Sequence, residues 1–309
     1  MKTLSPEDLA ERTRRAGQAA IDAARDLGLG VDRARVLHDV FSVVVHLEPE
    51  PVVARIPVVL TASTDPERQE ARQQRELDVA AWLDTQGVPV VPPSPRVPRA
   101  PVRRDGFSLT FWELAELAED HEPYRGVGFD HSARLHAALA GYPGELPFLT
   151  PFTEGLPDMM AGLDSADILT AEEVDRARSE FEALQAILGD RDTFLAAFPG
   201  VTVQPIQGDA PSHNVIRTTA GIRFSDFEDA CCGPVEWDLA MLGPQAVADY
   251  EQAAREFGLR RTDPEVQRVL DHARRLQFVA CVTLIPALPL LAGGLSAALD
   301  EWRAAPVFG

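Results

Sequence analysis

Apolar residues alternate with polar ones, or recur at helical spacing, in distinct parts of the chain. Two apolar runs with strand-like alternation, VLHDVFSVVVHL and VVARIPVVL, fall between residues 36 and 60 and are separated by a proline turn. Residues 5–27 and 65–86 have helical patterns, and the second begins with Asp65 and Pro66, which are typical N-terminal residues of a helix. FSLTFWELAEL, from residue 107, begins as a further strand. The first third of the chain is therefore predicted to be rich in antiparallel strands.

After residue 116 the helical pattern predominates. Residues 129–140 have helical spacing, and Thr170 with Glu173 forms a capping box before an apolar face that repeats through residues 174–188. The segment 277–299 has no charged residue and is long enough to cross a membrane, but prolines and glycines interrupt it. We interpret this segment as a buried, kinked helix pair, so the C-terminal part is predicted to be mostly helical.

One polar loop, QGDAPSHN, follows an alternating apolar lead in residues 201–206 and is therefore predicted to leave a strand. Beyond the loop, residues 215–224 have the pattern of a hairpin with its turn at 219–221. If Thr218 pairs with Ile222, the antiparallel register places Asn214 opposite Asp226. A carboxamide and a carboxylate then lie on one face of the hairpin.

These two oxygen donors suit Mg²⁺, which prefers oxygen ligands and usually shares its coordination shell with phosphates. Asp209, at the start of the loop, is left to receive a hydroxyl proton. An aspartate base beside an Asn and an Asp that hold metal is the arrangement used for phosphoryl transfer. An Asp and an Asn near a turn are also common turn formers, so this pair alone does not establish the chemistry.

The wider motif resembles that of the aminoglycoside phosphotransferase family, whose pattern is H-G-D-x-x-x-x-N, a hairpin, D-F-E or similar, and G-P-x-x-W-D-L-A. The matching residues are Gly208, Asp209, Asn214, Asp226, Phe227, Glu228, Gly233, Pro234, Trp237, Asp238, Leu239 and Ala240. The resemblance implies an α+β, bilobal protein-kinase-like fold, with a small antiparallel β-rich N-lobe in residues 1–115 and a larger, mostly helical C-lobe in residues 116–309. It also implies Asp209 as the catalytic base, Asn214 and Asp226 as Mg²⁺ ligands, and ATP or GTP as the phosphate donor.

The sequence departs from the family pattern at three places. Gln207 replaces the usual histidine of the loop, but an amide can also donate and accept hydrogen bonds. The N-terminal strands contain no glycine-rich phosphate loop. Arg55 stands where the family has a strand lysine, and Lys2 is the only lysine of the chain. We expect Arg55 to bind the nucleotide phosphates through its planar guanidinium; a solvent-exposed strand arginine is the alternative.

The nucleotide site needs an acidic partner for Arg55 on the helix predicted over residues 65–86. Glu76 lies on the same helical face as the apolar residues, whereas Glu70 lies on a different face of the helix. Glu76 is therefore the preferred partner of Arg55. The alternative is that Glu76 is a surface carboxylate paired with Arg72.

Other residues are predicted to support the site. By the resemblance, the backbone groups of Glu113 and Ala115 contact the nucleotide base. His136, in a segment similar to the family's L-x-x-L-H, is predicted to be a packed structural histidine. Trp237 and Asp238 are predicted to open a helix, with Asp238 bracing the catalytic loop through its backbone, because a buried aspartate needs hydrogen-bond partners.

The net charge of the chain indicates which kinds of molecule it is expected to bind. The 309 residues include 29 Lys and Arg against 48 Asp and Glu, a net charge of -19, which disfavours binding to nucleic acid. Neither a membrane span nor an apolar signal core is indicated, and the three cysteines offer neither a disulfide framework nor a metal site, so a cytoplasmic location is expected. The acidic balance is compatible with a cationic, aminoglycoside-like acceptor, although a solvated acidic surface explains the same charge.

The predicted function is transfer of the γ-phosphate of ATP or GTP to a hydroxyl of a small molecule. Kinases of choline, homoserine, sugars or macrolides share this machinery and stay open as alternatives. A non-catalytic nucleotide-binding or regulatory protein on a degenerate scaffold is another alternative, motivated by Gln207, Arg55 and the missing glycine loop. Because a binding protein need not retain Asp209, Asn214 and Asp226 together, the enzyme is favoured. The oligomeric state is left open.

Overall fold

The computed structural model describes residues 3–61 and 64–309, which form two compact units. Unit 1 comprises the described residues up to Glu122 together with Ile216–Glu228 and Pro286–Pro289. Unit 2 comprises Pro123–Val215, Asp229–Ile285 and Leu290–Gly309. This division does not test the single boundary predicted between residues 115 and 116, which stays a prediction. Lys2 lies outside the described residues.

The described residues contain α-helices and short strands in the following order. The helices are α1 (Pro6–Asp26), α2 (Pro66–Thr85), α3 (Phe129–Leu139), α4 (Leu156–Met160), α5 (Ala171–Leu188), α6 (Arg191–Ala197), α7 (Pro244–Ala254), α8 (Pro264–Ala280) and α9 (Leu291–Ala304). The strands are β1 (Arg33–Asp39), β2 (Ser42–Glu48), β3 (Val52–Pro57), β4 (Val102–Arg104), β5 (Phe107–Glu113), β6 (Gln204–Ile206), β7 (Val215–Thr218), β8 (Gly221–Phe224) and β9 (Cys231–Gly233).

Unit 1 is built on a five-stranded antiparallel sheet with the order β1-β2-β3-β5-β4. Helix α1 begins at the capping box of Ser5 and Asp8 and packs against one face of this sheet. Its buried face consists of small residues, which permit a close approach to the strands: Ala16, Gly17, Ala19, Ala20, Ala23 and Ala24. The core of unit 1 therefore lies between α1 and the sheet.

The opposite face of the sheet holds Arg55. Along β3, Ala54 and Ile56 are fully buried in the core with α1, so the strand period of two turns Arg55 to the other side. Arg55 is opposite Val44 on β2 and Thr110 on β5, and an irregularity in β1 between Val36 and His38 brings His38 opposite Val44. A β-bulge of this kind re-aims side chains, and here it places His38 in the same row of the sheet as Arg55.

Unit 2 is mostly helical and surrounds a core of large apolar side chains. Fully buried aromatic residues of this unit are Phe152, Phe194, Trp237, Tyr250 and Trp302. Strand β6 pairs antiparallel with β9, with Ile206 opposite Cys231. The capping box predicted for Thr170 and Glu173 is confirmed at the start of α5. Because β6 ends at Ile206, the polar loop of residues 207–214 begins where this small buried sheet ends.

The predicted α+β fold class is confirmed by a β-rich unit and a mostly helical one. The predicted hairpin is also confirmed, as β7 and β8 form a two-stranded sheet. In the segment interpreted as a kinked helix pair, α8 ends at Ala280 and α9 begins at Leu291. Within the described residues, no helix combines the length and the apolar character needed to cross a bilayer.

The prediction that Trp237 and Asp238 open a helix is wrong. A 3₁₀ turn, Val235–Trp237, ends there, and the next α-helix begins only at Pro244. The intervening backbone explains the difference, because Met241 has φ of 62° and Gly243 has φ of 87°. Left-handed residues interrupt a right-handed helix, so the α-helical pattern cannot start at Trp237.

The close packing of α1 predicts that a larger side chain at Ala20 destabilises the protein. Ala20→Leu inserts three carbon atoms where the alanine is fully buried, and we expect a loss of about 1–3 kcal/mol in the free energy of unfolding. Ala10→Leu makes the same change at an exposed position of α1 and serves as the control. Denaturant unfolding measures both variants, and equal stability of the two contradicts this packing.

Candidate active site

Arg55 is the centre of a cluster of charged side chains in unit 1. Its Nη1 lies 3.1 Å from Oε2 of Glu76 on α2. Its Nη2 lies 3.0 Å from Oδ1 of Asp226 and 3.0 Å from Oε2 of Glu228. Arg72 approaches the other oxygen of Glu228, with Nη2 3.6 Å from Oε1. The structure thus pairs Glu76 with Arg55 at a buried position and not on the surface, and it adds Glu228 as a partner that the sequence did not assign.

Burial and the neighbouring charges shift the pKa values of the side chains in this cluster. Burial opposes the charge of Arg55, but the carboxylates of Asp226, Glu228 and Glu76 outweigh that effect and hold its pKa well above the ordinary value. Burial also raises the pKa of Glu76 to about 8, although Arg55 acts in the opposite direction. Glu228 is partly buried, which opposes its charge, yet Arg55 and Arg72 lower its pKa to about 2. Two guanidinium groups therefore face three carboxyl groups, and Glu76 takes a proton more readily than Glu228 does.

Asp226 follows β8 and has an unusual backbone conformation. Its φ is 61°, in the left-handed region that aspartate tolerates better than most residues. Its side chain is 42% exposed, more than that of any other acid in the Arg55 cluster. Backbone strain of this kind is common at functional sites, where it directs a side chain.

In unit 2, the backbone of the polar loop is held by Asp238. Its carboxylate accepts hydrogen bonds from the backbone N–H groups of Gln207, at 3.0 Å, and Gly208, at 2.9 Å. The indole Nε1 of Trp237 donates to the carbonyl oxygen of Gly208 at 2.7 Å. The predicted bracing of the loop by Asp238 is thus present in the structure.

Asp238 is itself supported by a buried polar chain. Nε2 of His136 lies 2.9 Å from Oδ2 of Asp238, and Nδ1 of His136 lies 2.8 Å from the hydroxyl of Tyr250. All three side chains are essentially inaccessible to solvent. Burial raises the pKa of Asp238, although the hydrogen bond from His136 counteracts it. As predicted, His136 is a packed residue, and it contacts the residue that holds the loop.

Gln207 occupies the position of the family's histidine and makes a hydrogen bond within the loop. Its side-chain oxygen, Oε1, accepts from the backbone N–H of Asp209 at 3.0 Å. Gly208 has φ of 89°, and a Cβ at this position would lie 1.9 Å from the carbonyl oxygen of Asp229. The turn before Asp209 therefore depends on the side-chain oxygen of Gln207, which accepts a hydrogen bond, and on the absence of a side chain at Gly208.

The carboxylate of Asp209 is contacted at both oxygens. Nδ2 of Asn214 donates to Oδ2 at 2.9 Å, and Nη1 of Arg274 on α8 forms an ion pair with Oδ1 at 3.2 Å. The Asp209 side chain is 48% exposed, so the held carboxylate is open to solvent. Arg274 was not found from the sequence, because an arginine on an amphipathic helix has no local signal that distinguishes a buried partner from a surface residue.

The oxygen donors of the site suit Mg²⁺ that is shared with substrate phosphates better than a metal ion that is bound by protein side chains alone. The described residues contain no group of three or more His, Cys, Asp or Glu side chains that could hold a metal ion. Because Nδ2 of Asn214 donates to Asp209, the oxygen of that amide is the atom suited to a metal. Mg²⁺ is commonly bound by one or two protein oxygens together with substrate phosphates. The predicted meeting of Asn214 with Asp226 stays a prediction, since these residues belong to different units.

The residues predicted to contact the nucleotide base differ in their backbone bonding. The N–H of Glu113, at the end of β5, donates to the carbonyl oxygen of Pro92 at 3.0 Å. In residues 3–61 and 64–309, the backbone of Ala115 makes no hydrogen bond. The N–H of Ala115 therefore suits recognition of a base better than the N–H of Glu113 does.

One comparison with known proteins identifies a family. A model of the phosphotransferase enzyme family matches residues 43–272. None of the curated proteins compared with this sequence matches it. Among solved structures, a microcompartment-associated aminopropanol kinase is similar with a TM-score of 0.59 and 16% identity, over 94% of this chain and 99% of that one.

Other solved structures give the same fold. A spectinomycin phosphotransferase in complex with ADP and spectinomycin has a TM-score of 0.57 and 9% identity, over 94% of this chain and 95% of that one. A choline/ethanolamine kinase family protein from Mesorhizobium loti has a TM-score of 0.55 and 19% identity, over 96% of each chain. These likenesses confirm the predicted protein-kinase-like fold.

We predict that Gly208→Ala disrupts the loop more than an ordinary glycine substitution does. The new Cβ would meet the Asp229 carbonyl oxygen at 1.9 Å, and backbone is costly to move. A loss of stability on the order of 3 kcal/mol is expected. Gly221→Ala is the matched control, since φ is 112° there but no atom lies within 4 Å of the added Cβ. Similar thermal unfolding midpoints for the two variants contradict a requirement for close approach at Gly208.

The charge cluster predicts that Glu76→Gln removes a pH dependence of stability. Folded Glu76 keeps its proton up to about pH 8, whereas an unfolded glutamate releases it near 4.5. The unfolded state therefore binds fewer protons between these values, and the stability of the wild type relative to the variant falls as pH rises. One proton limits the slope to about 1.4 kcal/mol per pH unit.

Thermal unfolding across this pH interval tests the prediction. The melting temperature of Glu76→Gln should gain on that of the wild type as pH rises, and Glu70→Gln, at an exposed position of α2, should follow the wild type. A wild-type slope that persists in Glu76→Gln refutes the assignment.

Proposed function

The chain belongs to the phosphotransferase enzyme family, and from that premise we propose that it transfers the γ-phosphate of ATP or GTP to a hydroxyl of a small, cationic, aminoglycoside-like molecule. The observation that supports this most directly is the carboxylate of Asp209. Asp209 lies in the loop whose backbone Asp238 holds, is oriented by Asn214 and is about half exposed. A carboxylate held in this way is suited to accept a proton from a bound hydroxyl.

In the proposed reaction, Asp209 orients the acceptor hydroxyl and takes its proton. The acceptor oxygen then forms a bond to the γ-phosphorus as the bond from that phosphorus to the nucleoside diphosphate breaks. Phosphoryl transfer of this kind depends chiefly on positioning and on stabilisation of charge. The hydrogen bond from Asn214 and the fixed backbone of residues 207 and 208 supply the positioning of Asp209.

Asn214 and Asp226 are the proposed ligands of Mg²⁺, which neutralises charge on the nucleotide phosphates when it is bound. Asp226 contributes a carboxylate directed by its left-handed backbone, and Asn214 contributes its amide oxygen. Both are the hard oxygen donors that this ion prefers.

Arg55 is the proposed contact of the nucleotide phosphates, and Glu76 holds its guanidinium in place. Their ion pair of 3.1 Å is almost fully buried, with Arg55 13% and Glu76 2% exposed. A guanidinium presents several N–H donors in one plane, so it can keep Glu76 while it binds phosphate oxygens. The backbone of Glu113 and Ala115 is proposed to contact the base. Solved structures of similar fold include complexes with ADP and with GDP, so the choice between ATP and GTP is part of the test.

The proposed acceptor class rests on charge and on the names of similar proteins. The net charge of -19 favours a cation in solution over an anion. Proteins of similar fold are named for aminopropanol, spectinomycin and choline or ethanolamine. An acceptor with both a hydroxyl and an amine is therefore proposed for this chain.

A phosphotransfer screen with the purified protein tests the proposal. Mg²⁺ with ATP or GTP is supplied with amino sugars, amino alcohols and neutral sugars, and the phosphorylated product is measured by mass spectrometry. We expect transfer to amine-bearing acceptors that weakens as salt screens the attraction. Transfer to neutral compounds alone shows that the acceptor class is wrong, while nucleotide binding without any transfer favours the non-catalytic alternative.

Substitutions separate the role of the base from that of the metal ligands. Asp209→Asn should lower turnover about 10²–10⁴-fold and leave the affinity for Mg²⁺-nucleotide nearly unchanged, because proton acceptance is lost while the proposed metal ligands Asn214 and Asp226 are kept. Asp226→Ala and Asn214→Ala should weaken Mg²⁺-nucleotide binding measured by calorimetry. Asp167→Asn removes an exposed carboxylate of unit 2 and should behave as the wild type. Loss of nucleotide binding in Asp209→Asn contradicts the assigned roles.

A further inference from the structure

His38 shares a face of the unit 1 sheet with Arg55. It is opposite Val44 on β2, and Val44 is in turn opposite Arg55 on β3. Residues that are directly opposite each other on adjacent strands project from the same face of a sheet. His38 and Arg55 therefore flank Val44 in one row. Their backbones are roughly 10 Å apart, since neighbouring strands are separated by about 4.8 Å.

A β-bulge puts the histidine in this position. Residues 33–36 of β1 pair in order with residues 45–48 of β2, and continuation of that register would place Leu37 opposite Val44. The extra residue in β1 shifts the register by one, so His38 takes that place instead. A leucine would offer only apolar contact there, whereas an imidazole offers a hydrogen-bond donor.

The next residue along β1 shows which way the histidine side chain points. Asp39 forms an ion pair with Arg12 of α1 at 3.4 Å and accepts a hydrogen bond from Thr13 of the same helix. Asp39 therefore lies on the face of the sheet that α1 covers. The period of two along a strand turns His38 to the opposite face, which is the face of Arg55.

The row of residues that contains His38 is closed at one end and accessible at the other. Thr110, the partner of Arg55 on β5, is fully buried. Val44 is partly exposed, although the residues on either side of it in β2 are completely buried in the core with α1. His38 is partly exposed as well. A ligand can therefore lie over Val44, between His38 and Arg55.

Arg55 by itself supplies little net positive charge to this face. Its guanidinium contacts the carboxyl groups of Glu76, Asp226 and Glu228, and Arg72 approaches Glu228 from the other side. A nucleoside triphosphate carries several negative charges along its phosphate chain. A further hydrogen-bond donor beside Arg55 stabilises that chain, because hydrogen bonds to charged oxygens are stronger than those between neutral groups.

We propose that His38 is a nucleotide-binding residue: its ring N–H donates to one phosphate of the nucleoside triphosphate while Arg55 contacts another, and the phosphate chain lies over Val44. This inference deepens the proposed function and rests on it. Burial lowers the pKa of His38 and Arg55 adds to this effect, although Asp39 raises the pKa, so the ring is neutral at physiological pH. A neutral imidazole retains one N–H donor, which is what the contact requires. The alternative is a histidine that only packs on the sheet.

Nucleotides and nucleosides distinguish these roles without any turnover. His38→Leu removes the donor and introduces the side-chain type that the unshifted register would place there. We expect it to bind Mg²⁺-ATP or Mg²⁺-GTP on the order of tenfold more weakly than the wild type, because a hydrogen bond to a charged group is lost. Its affinity for adenosine or guanosine should be unchanged. His38→Gln keeps an N–H donor and should retain most of the triphosphate affinity, as measured by calorimetry.

Arg33→Gln is the matched control, since it removes an exposed ion pair with Glu48 from the same strand and should bind triphosphate as the wild type does. Unchanged triphosphate affinity in His38→Leu overturns the proposal. Equal losses of affinity for nucleoside and triphosphate also overturn it, because a distorted sheet weakens both. A loss in His38→Gln as large as that in His38→Leu contradicts a role for the N–H donor.

The histidine ring signals in NMR spectra provide a second measurement, which a purely structural role would not change. The signal of His38 is identified by its loss in His38→Gln. Mg²⁺-triphosphate should shift this signal more than the nucleoside does, because only the triphosphate accepts a hydrogen bond from the ring. A ring signal that triphosphate leaves unshifted overturns the assignment.

These outcomes separate the contact of His38 from the proposed phosphoryl transfer. If the wild type transfers phosphate and His38→Leu binds triphosphate normally, the role of His38 is wrong and the proposed function stands. If the wild type binds triphosphate but phosphorylates no acceptor, the proposed function fails, whereas the titrations still decide the role of His38. A wild type that binds no triphosphate overturns both.

Discussion

The candidate active site in unit 2 depends on one buried carboxylate. Asp238 has almost no exposure to solvent, and a carboxylate in that environment must be satisfied by hydrogen bonds or take up a proton. It is satisfied by two backbone N–H groups of the loop and by the imidazole of His136. Because the loop supplies part of what Asp238 requires, the position of the loop and the burial of Asp238 stabilise each other. The orientation of Asp209 follows from this arrangement.

Each of the two units contains a buried arginine, and the two units neutralise the charge of that arginine differently. Arg55 in unit 1 contacts three carboxyl groups, and burial, together with the nearby Asp226 and Glu228, raises the pKa of Glu76 to about 8. Within residues 3–61 and 64–309, Arg274 of unit 2 forms an ion pair with a single carboxylate, that of Asp209. A guanidinium with several anions keeps its position when one of them is withdrawn, whereas a guanidinium with one anion responds strongly to its neutralisation.

The departures from the family pattern have physical explanations in the structure. Gln207 accepts a hydrogen bond from the N–H of Asp209, so an amide supports the loop at the position of the family's histidine. Arg55 reaches Glu76 from β3 as an ion pair, and the planar guanidinium contacts two further carboxylates at the same time. A lysine has a single ammonium on a flexible stem, so it would not present the same fixed geometry to these partners.

The sequence by itself determined what depends on local pattern and chemistry. The helix start at Ser5, the capping box at Thr170, the hairpin with its turn around residues 219–221, and the α+β class were predicted, because caps, turns and strand alternation act over a few residues. The motif around Asp209 and Asn214 was recognisable from its spacing, and the helical stripe of α2 indicated Glu76. The helix expected at Trp237 failed because left-handed residues near Gly243 are not evident from apolar spacing.

Only the tertiary structure decided which distant side chains share a buried space. Arg274 lies 65 positions after Asp209 on a helix whose own pattern is amphipathic, and nothing local separates it from the exposed Arg268 of α8. The same holds for Glu228 beside Arg55 and for Tyr250 beside His136. Burial and long-range pairing arise when helices and strands pack together, so the electrostatic partners of the site follow from the fold and not from the motif that marks it.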